Sequence, residues 1–311
     1  MDIGQRLVDY VYERMQIDEP WAVRAAQRFS WWGGSLAQRV WADEARIVDG
    51  IAVTHVHIET DLLRRVRATP ETLERLAGIN RLATLSAYVA DAKAQLIRLH
   101  ASVSVTEENF PMARMLAVHA TALQVADAHA EVEPLAEIFG GDIDESEHPI
   151  SGARIEEDEM LDVASVYASR GDDPSPFGAD ELAELVRIEP RPWTAASSTE
   201  QQLDAELPFD GGEPSRLALD AAYVHPALGS GLRIALTLPV PAAFQRVQGL
   251  NAAETNQPDA HQIGGWCASE EDKLMFVSFV PSAAYMPNMA RAMMYHMATR
   301  NGWAHHLLTS S

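Results

Sequence analysis

One segment of this chain occurs twice. Pro70, Arg75, Gly78 and Asn80 recur as Pro241, Arg246, Gly249 and Asn251 at a constant offset. The apolar positions Leu73, Leu76 and Ile79 recur as Phe244, Val247 and Leu250. A second pair follows at nearly the same offset: Met112-Ala113-Arg114 with His119 matches Met289-Ala290-Arg291 with His296. Two matches in the same order point to two copies of one domain, since a single short motif could recur by chance. The duplication specifies an architecture and carries no catalytic constellation with it.

Length agrees. A chain of 311 residues holds two domains at roughly 150 residues each. Residues 1–140 read as the first domain, 141–177 as an acidic linker with a helical segment, and 178–311 as the second domain. Between Asp142 and Asp162 nine residues are Asp or Glu and one, Arg154, is basic; such a stretch buries too little to offset its ordering entropy and reads as a solvated tether. The formal charge of −21 repels phosphate backbones and anionic membrane surfaces, so neither nucleic acid nor membrane is the expected partner. No apolar run approaches the roughly 20 residues needed to span a bilayer. The N-terminus lacks the basic segment and apolar core of a secretory signal. The single cysteine, Cys267, cannot form an intrachain disulfide and reads as a small buried hydrophobe. Together these predict a cytoplasmic protein.

Hydrophobic periodicity orders the elements. Leu7, Val8, Val11, Tyr12 and Met15 fall on one helical face, and Pro20-Trp21 with Val23, Ala26 and Phe29 reads as a second short helix. Residues 36–41 and 51–58 read as strands. The Pro70 segment is a helix capped by Thr69. Residues 85–89 and 95–105 form a hairpin, and a helix over 107–139 ends at Gly140. The second copy repeats the order: helix 179–186, strands 217–224 and 232–238, the Pro241 helix, a hairpin of 263–268 with 274–280, and a helix from Asn288. A further helical pattern spans 156–169. Each copy is therefore α+β, an antiparallel sheet with helices packed on one face.

This element order resembles the type III secretion chaperone-like superfamily, including its bacterial sensory-transduction-regulator-like branch. The resemblance rests also on Gly249-Leu250-Asn251 followed by Gly265-Trp266 and the strand 274–280 leading to a C-terminal helix, with Gly78-Ile79-Asn80 as the earlier counterpart. It covers residues 20–140 and 178–308. It implies a small acidic protein that binds other proteins and has no catalytic residues. Members are commonly dimeric; a chain with two copies implies an internal pseudo-dimer that could exist as a monomeric chain. The segments around Leu76 and Val247 are then candidates for the contact between copies, or for each core.

Several residues could carry chemistry. His55 and His57 alternate along a strand and share one face, a spacing that a metal pair can use, yet no further ligand is clearly placed, and a half-exposed strand face is the simpler expectation. His119 and His296 occupy equivalent helical positions beside Met112 and Leu116, and beside Met289 and Met293; they read as satisfied core histidines or as titratable groups between copies. His305 and His306 read as solvated. Met286, Met289, Met293 and Met297 fall on one helical face, a stripe that can serve as an adaptable partner-binding surface or as core. Asp142 opens like a calcium loop, but Glu147 and Ala153 stand where the loop needs glycine and glutamate. No phosphate loop, nucleophile elbow or zinc-protease helix occurs. The expected function is a non-catalytic module that recognises another protein or an unfolded polypeptide segment through a sheet edge or apolar groove, with no metal or other cofactor. The alternative is an enzyme or small-molecule-binding protein using polar residues between the copies.

Overall fold

The computed structural model describes residues 2–159, 161, 175–188, 191–210, 212–256 and 261–309. The chain divides into two compact units. Unit 1 comprises residues 1–76, 85–166 and 261–263, and unit 2 comprises 77–84, 167–260 and 264–311. The division thus falls inside the repeated segment Pro70 to Asn80 and leaves its counterpart, Pro241 to Asn251, whole in unit 2.

Unit 1 opens with α1 (Ile3–Met15), whose Leu7, Val8, Val11 and Met15 are buried on one face. Its sheet has eight strands: β1 (Ala22–Ala25), β2 (Arg28–Trp32), β3 (Ala37–Ala42), β4 (Arg46–Val48), β5 (Ile51–Arg64), β6 (Ala87–Asp91), β7 (Leu96–Val105) and β8 (Asp142–Ile143). The order is β1-β2-β3-β5-β7-β6, with β4 and β8 also pairing β5, and every pairing is antiparallel. Pro20 to Phe29 is not a second helix. Trp21 closes a short 3-10 turn, and β1 and β2 follow as a hairpin in which Phe29 and Trp31 turn inward, a period of two rather than 3.6. The α2 helix (Pro70–Ile79) starts with the Thr72 N–H donating to Thr69 Oγ1 at 3.2 Å, an N-cap bond. The α3 helix (Phe110–Phe139) ends at Gly140, φ +66°.

Helices α1 and α3 pack on one face of this sheet. The seam includes a buried amide network. Trp31 Nε1 donates to Gln38 Oε1 (2.8 Å), Thr60 Oγ1 donates to Gln124 Oε1 (3.0 Å), and Gln124 Nε2 donates to the Ile58 carbonyl (3.0 Å) and Ser86 Oγ (3.1 Å).

Unit 2 contains α4 (Ala179–Arg187), β9 (Thr194–Ser198), β10 (Gln202–Leu207), β11 (Ser215–Asp220), β12 (Val224–His225), β13 (Gly229–Pro241), α5 (Phe244–Asn256), β14 (Gly265–Ala268), β15 (Lys273–Pro281) and α6 (Met289–Thr309). Its strand order is β9-β10-β11-β13-β15-β14, with β12 on β13. That is the order of the first sheet, element for element, with α2 and α5 each following the long central strand. Pro241 ends β13 instead of opening the helix, which starts at Phe244. Glu254 on α5 and Arg300 on α6 form an ion pair with both side chains at most 3% exposed, Nε to Oε1 at 2.6 Å and Nη2 to Oε2 at 3.1 Å. Trp266 Nε1 also donates to Glu254 (2.9 Å), and the guanidinium lies 3.8 Å from the Phe276 ring centre.

The acidic stretch after Gly141 is tied down, in contrast to the expected tether. Asp142 and Ile143 pair with β5, the Asp144 N–H donates to the Leu62 carbonyl, the Ser146 N–H to the Ser35 carbonyl, and Trp32 Nε1 to Ser146 Oγ. Backbone hydrogen bonds to a sheet supply what its composition could not. The expected helix over 156–169 lies largely outside the described residues.

Candidate functional site

The face of the first sheet turned away from α1 and α3 carries a dense row of polar side chains. Side chains alternate along strands, so β5 presents His55, His57, Glu59 and Asp61 in one row, opposite Ser104, Ser102, His100 and Arg98 of β7. Arg39 and Trp41 of β3 lie beside Glu59 and His57. The outer part of this row is an ion ladder: Arg39 Nη2 reaches Glu59 (2.5 Å) and Asp61 (2.6 Å), and Arg98 Nη1 reaches Glu59 (2.9 Å).

The inner part is a buried histidine chain. Asp43 Oδ2 lies 2.9 Å from His57 Nε2, His57 Nδ1 lies 3.2 Å from His100 Nε2, and His100 Nδ1 lies 2.6 Å from Gln262 Oε1. The Trp41 ring stacks on His57 with centroids 4.9 Å apart. Gln262 belongs to unit 1, held by the Ser102 N–H donating to its carbonyl at 2.9 Å. Two proton arrangements satisfy the chain. With the Gln262 carbonyl toward His100, His100 Nδ1–H donates to it, His57 Nδ1–H donates to His100 Nε2, and His57 carries a second proton on Nε2 against the Asp43 carboxylate. Turning the Gln262 carboxamide so that its N–H donates to His100 Nδ1 satisfies the same chain with one proton fewer.

Burial sets the remaining electrostatics. Burial, then the neighbouring Arg46 guanidinium, pushes His55 down to about 4. Burial, then the His57 charge, pushes His100 down to about 3. The hydrogen bond from His57 holds Asp43 below the ordinary carboxylate value. On α3, burial and then Glu131 raise Asp127 to about 7. His57 and His100 are 3% and 1% exposed, so a substrate atom can meet their ring nitrogens only if this face opens. Among the described residues no group of three or more His, Cys, Asp or Glu is placed to hold a metal ion. His55 and His57 share a face as the sequence indicates, but that face is buried rather than half-exposed.

At its outer margin the same face becomes accessible. Val23, Ala25, Arg28, Ser30 and Trp41 line part of a groove of about 740 Å³ over β1, β2 and β3. Among the described residues the β1 strand is the edge of the sheet, and only β2 pairs with it. Val23 is 40% exposed.

The other sequence candidates lie elsewhere. Met289, Met293 and Met297 are fully buried in the unit 2 core and cannot meet a partner as they stand, which corrects the surface reading for these three; Met286 is half-buried. Leu76 on α2 and Val247 on α5 are also fully buried. His119 is half-buried, with Nδ1 2.8 Å from the Met115 carbonyl, and His296 is half-buried on α6. His305 is not simply solvated: its ring packs edge-on to Phe209 and Nε2 lies 3.3 Å from Asp210. Cys267 is buried, and burial raises its thiol to about 12.

Among the described residues unit 2 has no counterpart of the histidine chain. Its helix-free row reads Arg233, Ala235 and Thr237 on β13 opposite Phe279, Val277 and Met275 on β15, and Ala235, Val277 and Cys267 form an apolar cluster there. His100, Gln262, Asp43 and Trp41 escaped the sequence reading; the signal available for one of them, His100, was the alternation of Arg98, His100, Ser102 and Ser104 in step with His55 to Asp61. Among the described residues no helix is long and apolar enough to cross a membrane. No family model, curated protein or solved structure matches the chain.

Proposed function

We propose that this chain is a non-catalytic, cytoplasmic protein-binding module, as the resemblance to the chaperone-like superfamily implies. In this reading unit 1 takes an extended segment of another polypeptide along β1. The observation that carries it is the groove beside an edge strand, lined by Val23, Ala25, Arg28 and Trp41. An added strand gains main-chain hydrogen bonds from the free edge whatever its sequence, while alternate side chains settle on the apolar floor. Arg28 favours a segment with an acidic residue nearby. The burial of the histidine chain argues for a supporting role beneath Trp41, and against its use on a substrate. The net charge of −21 argues against nucleic acid.

The test is hydrogen exchange with a panel of extended apolar peptides. Binding should slow exchange of the β1 amides that β2 leaves free, and Val23→Asp should abolish it. Protection confined to another element, or no binding by any peptide, would overturn the assignment.

A further inference from the structure

The hairpin formed by β4 and the start of β5 projects beyond the sheet. Residues 51–53 pair only with β4, because β3 joins β5 at Val56 and β7 joins it at Thr54. Asp49 (φ +50°) and Gly50 (φ +82°) form its turn, both in the left-handed region as a tight type I′ hairpin requires. Its base is fixed by Arg46 Nη2 at 2.9 Å from His55 Nδ1 and by the Asp43 N–H donating to the His55 carbonyl at 2.9 Å. Ile47 is 71% exposed, and Val48 and Ile51 are each 53% exposed. Val48 faces Ile51 across the ribbon while Ile47 faces Ala52 on the opposite side. A rigid ribbon that is apolar on both faces gains nothing from water, and such patches mark association sites.

We propose that the β4–β5 arm of one copy of this chain lies on the β1 groove of a second copy, and that the exchange is reciprocal. This rests on the groove reading above and names its occupant. Charge favours a second copy. Between Ala22 and Ala42 there are three arginines and no Asp or Glu, in a chain with 45 acidic and 24 basic residues. Arg24 pairs with Asp9 and Arg39 with Glu59 and Asp61, so it is Arg28, which lines the groove, that favours an acidic arm. The arm that follows bears Asp43, Glu44 and Asp49 against Arg46; Asp43 is taken by His57, which leaves Glu44 and Asp49 to meet Arg28. Groove and arm are thus complementary to each other, and one chain carries both, as a two-fold contact between identical copies requires. They also share one end of the sheet: the Ala42 N–H, one residue before the arm, donates to the Gln27 carbonyl in the β1–β2 turn. Both strands offer an edge for pairing, since among the described residues β4 pairs only with β5 and β1 only with β2. Antiparallel addition of β4 to β1 pairs those edges and lays Val48 and Ile51 over Val23, Ala25 and Trp41.

The test uses the full chain. Chains carrying Val48→Cys are mixed with chains carrying Val23→Cys under mild oxidation; Cys267 is buried and does not compete. A disulfide-linked dimer should form in the mixture and in neither sample alone. Sedimentation of the wild type should show a dimer that dissociates on dilution. Val48→Thr with Ile51→Thr, which keeps β-branching in the ribbon, should weaken it by a factor of roughly ten or more. A wild type that stays monomeric at high concentration, a Val48→Cys chain that links to itself, or a dimer indifferent to the arm substitutions would each overturn the proposal. A cysteine-tagged extended apolar peptide is then offered to the Val23→Cys chain. Linkage there leaves the groove reading standing without the arm; no linkage removes both.

Discussion

Acid should loosen unit 1 through a few buried groups, with a slope that substitutions can dissect. An unfolded histidine titrates near 6.5, whereas His55 and His100 are held at about 4 and about 3 in the fold. Between those limits the unfolded chain binds a proton at each site that the folded chain does not, so stability falls as pH falls. Asp127 acts in the opposite sense. Raised to about 7, it keeps a proton in the fold that the unfolded chain releases above its ordinary value near 3.8, so stability rises as pH falls through that range. Three groups therefore leave a net difference of one proton, about 1.4 kcal/mol lost per pH unit of acidification. From about pH 6 to about pH 4.5 the loss is about 2 kcal/mol. His100→Gln, which retains a donor and an acceptor for its neighbours, removes one proton from the difference and should leave these groups with almost no net slope. Asp127→Asn removes the opposing term and should double the loss to about 4 kcal/mol over the same range. Urea unfolding followed by tryptophan fluorescence gives these slopes, with Trp21, Trp31, Trp32 and Trp41 all in unit 1; other titrations common to the three proteins cancel in the comparison. Equal slopes in wild type and His100→Gln would show that His100 protonates as readily folded as unfolded, and the buried chain would then be open to water.

In unit 2, Arg300→Met leaves the Glu254 carboxylate buried without its guanidinium and should cost about 3–5 kcal/mol in chemical denaturation; adding Glu254→Leu should recover most of that loss. Gly264 has φ +131°, and a Cβ there would sit 2.2 Å from the Val277 carbonyl oxygen, so Gly264→Ala should destabilise unit 2 by more than about 1 kcal/mol, read as a lowered melting temperature. Gly78 and Gly249, identical in the two copies, have open space where a Cβ would go. Alanine at either should raise helix stability by about 0.5–1 kcal/mol, and a loss measured by the same melts would mean that their backbones are approached by something else.

The sequence was most legible where pattern and environment agree. Leu7 to Met15 and the 85–105 hairpin were readable because one apolar face meets one core. The repeat of Pro70 to Asn80 at Pro241 to Asn251 announced the shared strand order even though Pro241 itself ends a strand. The β1–β2 hairpin was misread because Pro20-Trp21 imitates a helix start and the four residues of β1 are too few to show a period. The acidic stretch from Asp142 looked free because composition does not register backbone hydrogen bonds to a distant sheet. Of the histidine chain only His57 was visible, as the neighbour of His55 on one strand face. The rest depended on His100 and Gln262, which become neighbours only through β7 pairing and a segment 162 positions further along the chain.

That separation bears on the order in which the protein forms. Gln262 and His261 complete the polar row of unit 1, with the Ser104 N–H donating to His261 Nδ1, and they are made long after β7. In unit 2, Asn80 and Arg81 donate to the carbonyls of Trp266 and Ala268, so early residues wait for late ones. Such distant closures are slow, because loop entropy must be overcome before the contacts return anything. A ribosome-bound chain that has emerged only as far as α4 therefore holds a first sheet whose β7 still lacks the residues that finish it. This is the stage at which an exposed strand is most open to mispairing.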